Sequence, residues 1–471
     1  MPFTRAPQDL DPLSLREAAH LPYWLDRPHP AACAPLEGGT DADLVIVGGG
    51  YTGLWAALMA MEEIPSRSVV ILEGDEVGGA ASGRNGGFVA ASLTHGLGNG
   101  LDRWPVEIST LISLGMANLD AIESTVHEGG IDCDWQRTGE ITVAIDDHHV
   151  VAERETARRA RELGMDVDWL DRDAVRSVVN SPTYLGGVWD RRGVAMVDPV
   201  ALAWGLRRIC LERGVRIHEH SRVMSLRSAG AGVAASTAAG TVRAEKVLIA
   251  TGCDRTLSRA QRRRIAPVYD YVLMTEPLTE AQRRDIGWQV RVGIGDAGNL
   301  FHYYRTTADG RILWGGYDAI HHWGGRISPD FDSHPRSWAK LAEHFSVTFP
   351  QLEGIRFTHA WGGAIDTCSR FSPFWGTTLN GRAAYVGGYT GLGVGASRFG
   401  AATALDLLDA RESERTALTM VREQPLPFPP EPLRSLGVKL LTRSLENADH
   451  HGGRRSLLLR TADAIGFGFD S

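Results

Sequence analysis

Cysteine is scarce in this chain. Five stand among 471 residues (Cys33, Cys133, Cys210, Cys253 and Cys368), far apart and odd in number. That spacing excludes a zinc ribbon and a disulfide framework and reads as reduced thiols. An excess of positive charge is also missing. Forty-nine Lys+Arg against 57 Asp+Glu leave a net charge of −8, which argues against a nucleic-acid partner. The opening MPFTRAPQDLDPLSLREAAH has no apolar stretch of the kind a secretory leader carries, so a cytoplasmic location is expected. One uncharged segment, Leu44 to Met61, approaches the length of a membrane span. Glycines interrupt it, and strand, turn and buried helix explain it better; no membrane span is expected. Repeats and low-complexity tracts are absent. With 43% hydrophobic and 23% charged residues, the chain reads as a globular protein of about two domains.

Glycine is what the chain has in excess, 54 residues, about 11% against a usual 7%. The glycines cluster beside apolar runs, where backbone can approach a ligand closely. Leu44–Val47 and Val69–Leu72 read as buried parallel strands and Gly53–Glu63 between them as a helix ended near Pro65, a βαβ unit. Helices are expected over 106–128, Val150–Leu163, Pro199–Gly214 (Asp198 as N-cap, Pro199 at the first position) and Ser397–Ala410. Strands are expected at 139–145, Val215–Glu219, Arg222–Leu226, Lys246–Ala250, Tyr271–Thr275, Leu300–Arg305, Arg311–Trp314 and Ala383–Gly387. In the first forty residues only Tyr23-Trp24-Leu25 look fit to dock on the body. Near the C-terminus Pro425–Pro432 should be extended, and Leu436, Leu440, Leu441 and Leu445 fall on one helical stripe. That stripe should pack on the body or on a second subunit, which leaves room for a homo-oligomer.

The strongest motif is Gly48-x-Gly50-x-x-Gly53, after a strand and opening a helix, with Glu73 closing the next strand. Gly48 suits the tight turn, Gly50 the approach of a pyrophosphate, and Gly53 close packing of helix on strand. The helix N-terminus, with Tyr51 and Thr52, offers N–H groups to phosphates, and Glu73 can accept from a ribose hydroxyl. A dinucleotide is therefore expected. The later run from Gly78 to Phe88 sets Ala81, Ser82, Arg84, Asn85, Gly86 and Gly87 in a small-residue segment able to wrap an extended cofactor. Near the end, Gly387–Arg398 is a glycine-rich turn feeding a helix, whose positive end can stabilise negative charge.

On the fingerprint and the AASGRNGG run (80–87), the chain resembles the D-amino-acid oxidase and glycine oxidase superfamily of FAD enzymes. It is most similar there to the glutamylputrescine-oxidase-like, aminophosphonate-oxidoreductase-like branch. The resemblance implies an α/β (overall α+β) fold: a Rossmann-like FAD-binding domain with an inserted, mostly antiparallel β substrate domain. It implies FAD contacts at Val223, at Thr251 and Gly252 (ending a strand in Ala-Thr-Gly), and at Gly391, Leu392, Gly393 and Val394. Where glycine oxidase carries a carboxylate-binding arginine this chain has Ile365, so simple amino acids lose their anchor. Where sarcosine oxidase carries its flavin-linked cysteine the chain has Gly363, so non-covalent FAD is implied. The lysine that sarcosine oxidase uses toward oxygen is replaced near Trp314. The expected domains are an N-terminal arm (1–39), an FAD domain (40–130, 191–257 and 360–410), a substrate domain (131–190 and 258–359) and a C-terminal arm (411–471).

The expected reaction is oxidation of a C–N bond in a small amine (a polyamine derivative, an aminophosphonate or a secondary amine) to an imine, with O2 giving H2O2. Two alternatives stay open. One is a dehydrogenase for an amine or 2-hydroxy acid that passes electrons to a quinone or carrier. The other is a non-catalytic FAD-binding module. Alternation along 301–305 puts Phe301, Tyr303 and Arg305 on one face, an aromatic wall plus a cation; His95, Tyr269, Tyr271 and Trp361 are further pocket candidates. The pairs His148-His149, His321-His322 and His450-His451 lack any ligand spacing, since adjacent side chains point apart, and no metal is expected.

Overall fold

The computed structural model describes residues 1–254, 257–464 and 466–467. The expected ranges 191–257 and 411–471 include a few positions outside those described residues. Two large sheets carry the fold. In the first, the strands lie in the order Phe374–Thr378, Ala383–Gly387, Gly240–Ile249, Gly38–Val47, Val69–Leu72, Arg216–His218. The pairs along it are parallel except the outermost, Phe374–Thr378 with Ala383–Gly387. A parallel sheet must be covered on both faces, and here alternate residues go to different cores. Leu44, Ile46, Ile71 and Leu248 pack under helices Tyr51–Glu63, Ile108–Glu128, Pro199–Glu212 and Gly393–Leu408. Val45, Val47, Val70 and Val247 face the other way, with Val233 and Val242 of an antiparallel annex. Burying each such side chain contributes about 1.5–3 kcal/mol.

The second sheet runs Phe357–Thr367, Ala266–Thr275, Ile312–Gly316, His302–Thr306, Gly293–Asp296, Glu140–Ala144, Gly186–Asp190, Val167–Asp171. Only Gly293–Asp296 with Glu140–Ala144 is parallel, so the sheet is mostly antiparallel as expected. Helix Pro335–Thr348 and an aromatic core of Tyr304, Trp314, Phe345 and Phe349 cover one face. The other face floors a cavity. Phe88–Ala90 pairs with Val194–Met196 beside it.

Three local expectations shift. Residues 360–367, grouped from sequence with the FAD segments, lie in the second sheet, because Phe357–Thr367 hydrogen-bonds along almost all of Ala266–Thr275. The strand expected at Arg222–Leu226 starts at Ser225, where its partner strand ends opposite, at Ser236. The last glycine-rich helix starts at Gly393 rather than Ser397. Its glycines permit contact no other residue could make: a Cβ at Gly395 would stand 2.1 Å from the Ala90 carbonyl oxygen.

Asp198 caps helix Pro199–Glu212 by accepting from Ala201 N–H. Trp24 docks as expected, with its indole N–H donating to the Asn85 carbonyl at 2.9 Å. The leucine stripe lies on helix Leu433–His450. Asp449 anchors the end of that helix. Its carboxylate accepts from the backbone N–H groups of Asn299 and Leu300, both at 3.0 Å. Among the described residues no helix is long and apolar enough to cross a membrane.

Candidate active site

The first strand runs into Gly48 at φ +109°, a conformation that favours glycine. Around it the backbone is nearly in contact. A Cβ at Gly48 would lie 2.4 Å from the Ala250 carbonyl oxygen, and one at Gly53 would lie 1.9 Å from that of Gly48. The fingerprint thus pulls strand, loop and helix to distances only glycine allows. Glu73 ties the loop shut. One carboxylate oxygen accepts from Gly49 N–H at 2.6 Å, the other from Asp75 N–H at 2.9 Å. Burial raises the Glu73 pKa, and these N–H donors oppose the rise.

The loop after the second strand is held by its own polar side chains. Ser82 Oγ accepts from Tyr51 N–H at 3.0 Å. Arg84 donates to the Gly79 carbonyl at 2.9 Å and pairs with Asp332. Asn85 donates to the carbonyls of Ala81 and Ser82 and accepts from Gly87 N–H at 2.8 Å. Arg84 and Asn85 therefore brace the loop, rather than leaving their polar ends free as the sequence suggested. Tyr51 donates to the Pro199 carbonyl at 2.7 Å, and the Thr52 hydroxyl lies 2.9 Å from that of Tyr389. That last contact joins the first helix to the terminal glycine turn.

In that turn Asp366 accepts from Gly388 N–H at 2.7 Å. Burial pushes its carboxyl up to about 6, against several backbone N–H groups. Gly391, at φ +94°, faces open space, since a Cβ there would meet no atom within 4 Å. The N-terminal end of helix Gly393–Leu408 follows directly. Two helix N-termini, 51–63 and 393–408, thus open on one cavity of about 1050 Å³, lined also by Ala81, Ser82, Gly86 and Gly252. Two positive helix ends and glycine-cleared backbone suit a dinucleotide with an anionic ring system.

The family model described as DAO, FAD dependent oxidoreductase, matches residues 43–407. The chain belongs to that family. FAD is its cofactor, and the chain is an enzyme. Among curated relatives, the gamma-glutamylputrescine oxidoreductase of Escherichia coli (strain K12) is 30% identical over 391 residues, covering 82% of this chain and 88% of that protein. A probable oxidoreductase OrdL of Haemophilus influenzae is 27% identical over 376 residues, covering 76% of this chain and 81% of the other. Among solved structures, glycine oxidase from Geobacillus kaustophilus has a TM-score of 0.66 at 20% identity, covering 82% of this chain and 99% of that one. The residues described above fit FAD: the fingerprint and the terminal turn would hold its phosphates and its ring, and FAD supplies two-electron chemistry when bound.

Within this DAO-family enzyme the expected site residues separate into two groups. Gly50, Tyr51, Thr52, Ala81, Ser82, Arg84, Asn85, Gly86, Gly252, Gly391, Leu392, Gly393 and Val394 line the cavity. Gly48, Gly53, Glu73, Gly87, Val223 and Thr251 lie off its wall. Val223 packs with Val45, Val70 and Leu72, and Thr251 donates to the Asp254 carbonyl.

Of the pocket candidates, His95, Tyr269, Phe301 and Tyr303 line the cavity. Burial lowers the His95 pKa, so the ring is neutral near pH 7. Arg305, Tyr271 and Trp361 do not line it. Arg305 does share the strand face of Tyr303, but farther along, where the cavity has ended. Its guanidinium is 1% exposed and donates to the Val197 carbonyl at 2.6 Å and to Gly87 at 3.3 Å. Tyr271 donates to the Phe331 carbonyl at 3.0 Å, and Trp361 donates to the Arg84 carbonyl at 2.8 Å within an apolar cluster. Both are structural side chains.

Sequence reasoning missed the carboxylates. Asp270 lies beside Tyr303, accepting from its hydroxyl at 2.5 Å, and burial pushes its carboxyl up to about 6. Burial lifts Glu140 and Glu153 to about 7. The available signal was alternation: Val268, Asp270 and Val272 share a face, and all three line the cavity.

Proposed function

We propose that this enzyme oxidises the C–N bond of an amine that arrives as a cation and carries neither a carboxylate nor a phosphonate. The carrying observation is the carboxyl lining of the cavity wall, in which Asp270 and Asp366, at about 6, are ionised near pH 7 and Glu140 and Glu153, at about 7, are about half so. Glu140, Glu153, Asp190, Asp270 and Asp366 line it, and among the described residues none has an ion-pair partner. The two arginines on the wall are already engaged, Arg84 with Asp332 and Arg434 near Glu431. A cleft of this sign concentrates cations and repels anions. It favours polyamine derivatives and secondary amines over the aminophosphonates and amino acids that the family resemblance also admits.

In this reading Asp270 holds the ammonium near Tyr303 and receives its proton, assisted by desolvation at the buried Asp270–Tyr303 end of the cavity, which favours the neutral amine. The neutral amine loses a hydride equivalent, two electrons and one proton, to become an iminium ion, which water splits to a carbonyl compound and the leaving amine or ammonium, while the proton held by Asp270 is the second one that H2O2 needs. O2 takes up the electrons as H2O2. The FAD is bound without a covalent link. Cys368 Sγ donates to the Ser372 carbonyl at 3.1 Å, and burial holds its thiol above its ordinary pKa, so it is a poor nucleophile. The gamma-glutamylputrescine oxidoreductase relative supports oxidation at an amine nitrogen and that part of the reading alone, since a γ-glutamyl group itself carries a carboxylate.

The test is anaerobic mixing of the purified holoenzyme with amines, amino acids, aminophosphonates and 2-hydroxy acids, followed at about 450 nm, the band of oxidised flavin. Bleaching by cationic amines is expected, and air should then restore the band with release of H2O2. Bleaching by hydroxy acids alone, or by aminophosphonates in preference to amines, would refute the proposal. Acid precipitation should free all of the FAD.

A further inference from the structure

We infer that the outer part of the cavity is an apolar subsite, and that the substrate amine carries an extended alkyl or aryl substituent lying under the C-terminal helices. The inference rests on the amine reading for the head group but draws on a separate region. Leu433, Leu440, Leu441 and Leu445 of helix Leu433–His450 line the cavity, as does Leu458 of the next helix. Ile108, Ile112 and Met116 of helix Ile108–Glu128 line the same space.

Leu433, Leu440 and Leu458 are not consumed by packing. Leu433 is 59% exposed, Leu440 43% and Leu458 42%. Leu445, Ala448 and Leu459, with Leu441 beside them, form a core of their own among the described residues. Beyond that small core the long helix is fixed by polar bonds at its end, where Asp449 takes the Asn299 and Leu300 N–H groups. A helix that used its stripe for folding would bury it. Here a polar anchor holds an open apolar face along the apolar-walled end of the cavity, and such a wall takes an apolar ligand. It is continuous with the wall formed by Gly391 and Leu392, so its occupant enters from the same cavity as the amine. The two halves are complementary to one kind of molecule: carboxylates for a cationic nitrogen, leucines for the group attached to it. From Leu433 to Leu441 the stripe extends about 12 Å at 1.5 Å per residue. That length takes a saturated chain of on the order of eight to ten carbons at ordinary bond lengths.

The experiment uses the FAD-loaded full chain and two homologous series, n-alkylamines and n-alkanols from three to twelve carbons. Affinity is read from perturbation of the flavin spectrum in anaerobic solution or from competitive inhibition. Each added methylene should tighten binding about threefold to fourfold, levelling off near eight to ten carbons. Leu440→Gln, at an exposed position, and Leu441→Gln should flatten that slope while the flavin spectrum shows FAD still bound. A flat series in the wild type overturns the inference, as does a slope that both variants leave intact. The two readings fail separately. Bleaching by amines without a chain-length slope leaves the amine reading standing and refutes the subsite. A slope in the alkanols with no bleaching by any amine does the reverse.

Discussion

Replacing Gly53 by alanine should abolish FAD loading before it abolishes folding. The new Cβ would stand 1.9 Å from the Gly48 carbonyl oxygen, where ordinary contact begins at 3.4 Å. The helix N-terminus must therefore move about 1.5 Å from the loop, since the Ala250 backbone stands close against Gly48 on the loop's other side. A hydrogen bond of about 2.9 Å stretched by that amount is no longer one. The first free N–H groups of helix Tyr51–Glu63 are those that would meet the phosphates. Misplacing two charge-assisted bonds at about 1.5–3 kcal/mol each weakens FAD by roughly 10²- to 10⁴-fold. The folding cost of such overpacking is about 1–3 kcal/mol, which a domain of this size survives. Apoprotein would be titrated with FAD while flavin fluorescence is followed, with circular dichroism as the check on folding. Gly39→Ala, where the nearest atom to the new Cβ is 3.9 Å away, is the control and should bind as the wild type does. A folded Gly53→Ala protein that binds FAD within threefold of wild type would show that helix placement does not set cofactor affinity.

Three further outcomes are expected. Asp270 is ionised above about pH 6 and neutral below it, so kcat/KM for a cationic amine should fall as pH drops through 6. Asp270→Asn should lower kcat/KM about 10- to 100-fold and remove that acid limb; an unchanged limb would assign it to another group, such as Asp366. Asp449→Ala removes the acceptor for two backbone N–H groups, a loss of about 3 kcal/mol at one end of the C-terminal helix. Hydrogen exchange over 433–450 should accelerate while the first sheet stays protected, and uniform protection would refute the anchor. Burial depresses the His149 pKa to about 4, below the ordinary 6.5 of an unfolded chain. The unfolded state therefore binds the extra proton first, and stability should fall as pH drops from about 6.5 to 4, by about 3 kcal/mol in all. His149→Gln should flatten that part of the denaturation profile; a profile with the same slope would place the titration elsewhere.

The parts that were legible in the sequence are those whose chemistry is local. Gly48, Gly50, Gly53 and Glu73 lie within one βαβ unit, and the steric demands that single out Gly48 and Gly53 act between chain neighbours or adjacent strands. The same holds for the Asp198-Pro199 helix start and for the glycine turn before helix Gly393–Leu408. The substrate side was not legible in this way, because strand alternation assigns a face and not a neighbour. Arg305 shares the face of Tyr303, yet it reaches backbone carbonyls beyond the cavity, whereas Asp270, from a strand not adjacent in the sheet, meets the Tyr303 hydroxyl. Charge followed the same rule. Arg84 is neutralised by Asp332 and Asp318 by Lys340, while Glu140 and Asp270 have no ion-pair partner among the described residues. The leucine stripe was visible as a stripe, but that it roofs a cavity depends on where Asp449 pins its helix. By itself, then, the sequence determined an FAD-binding scaffold, because short-range geometry specifies it. Which side chains face the substrate, and with what net charge, only the tertiary structure decided, because electrostatic balance and burial depend on partners far away along the chain.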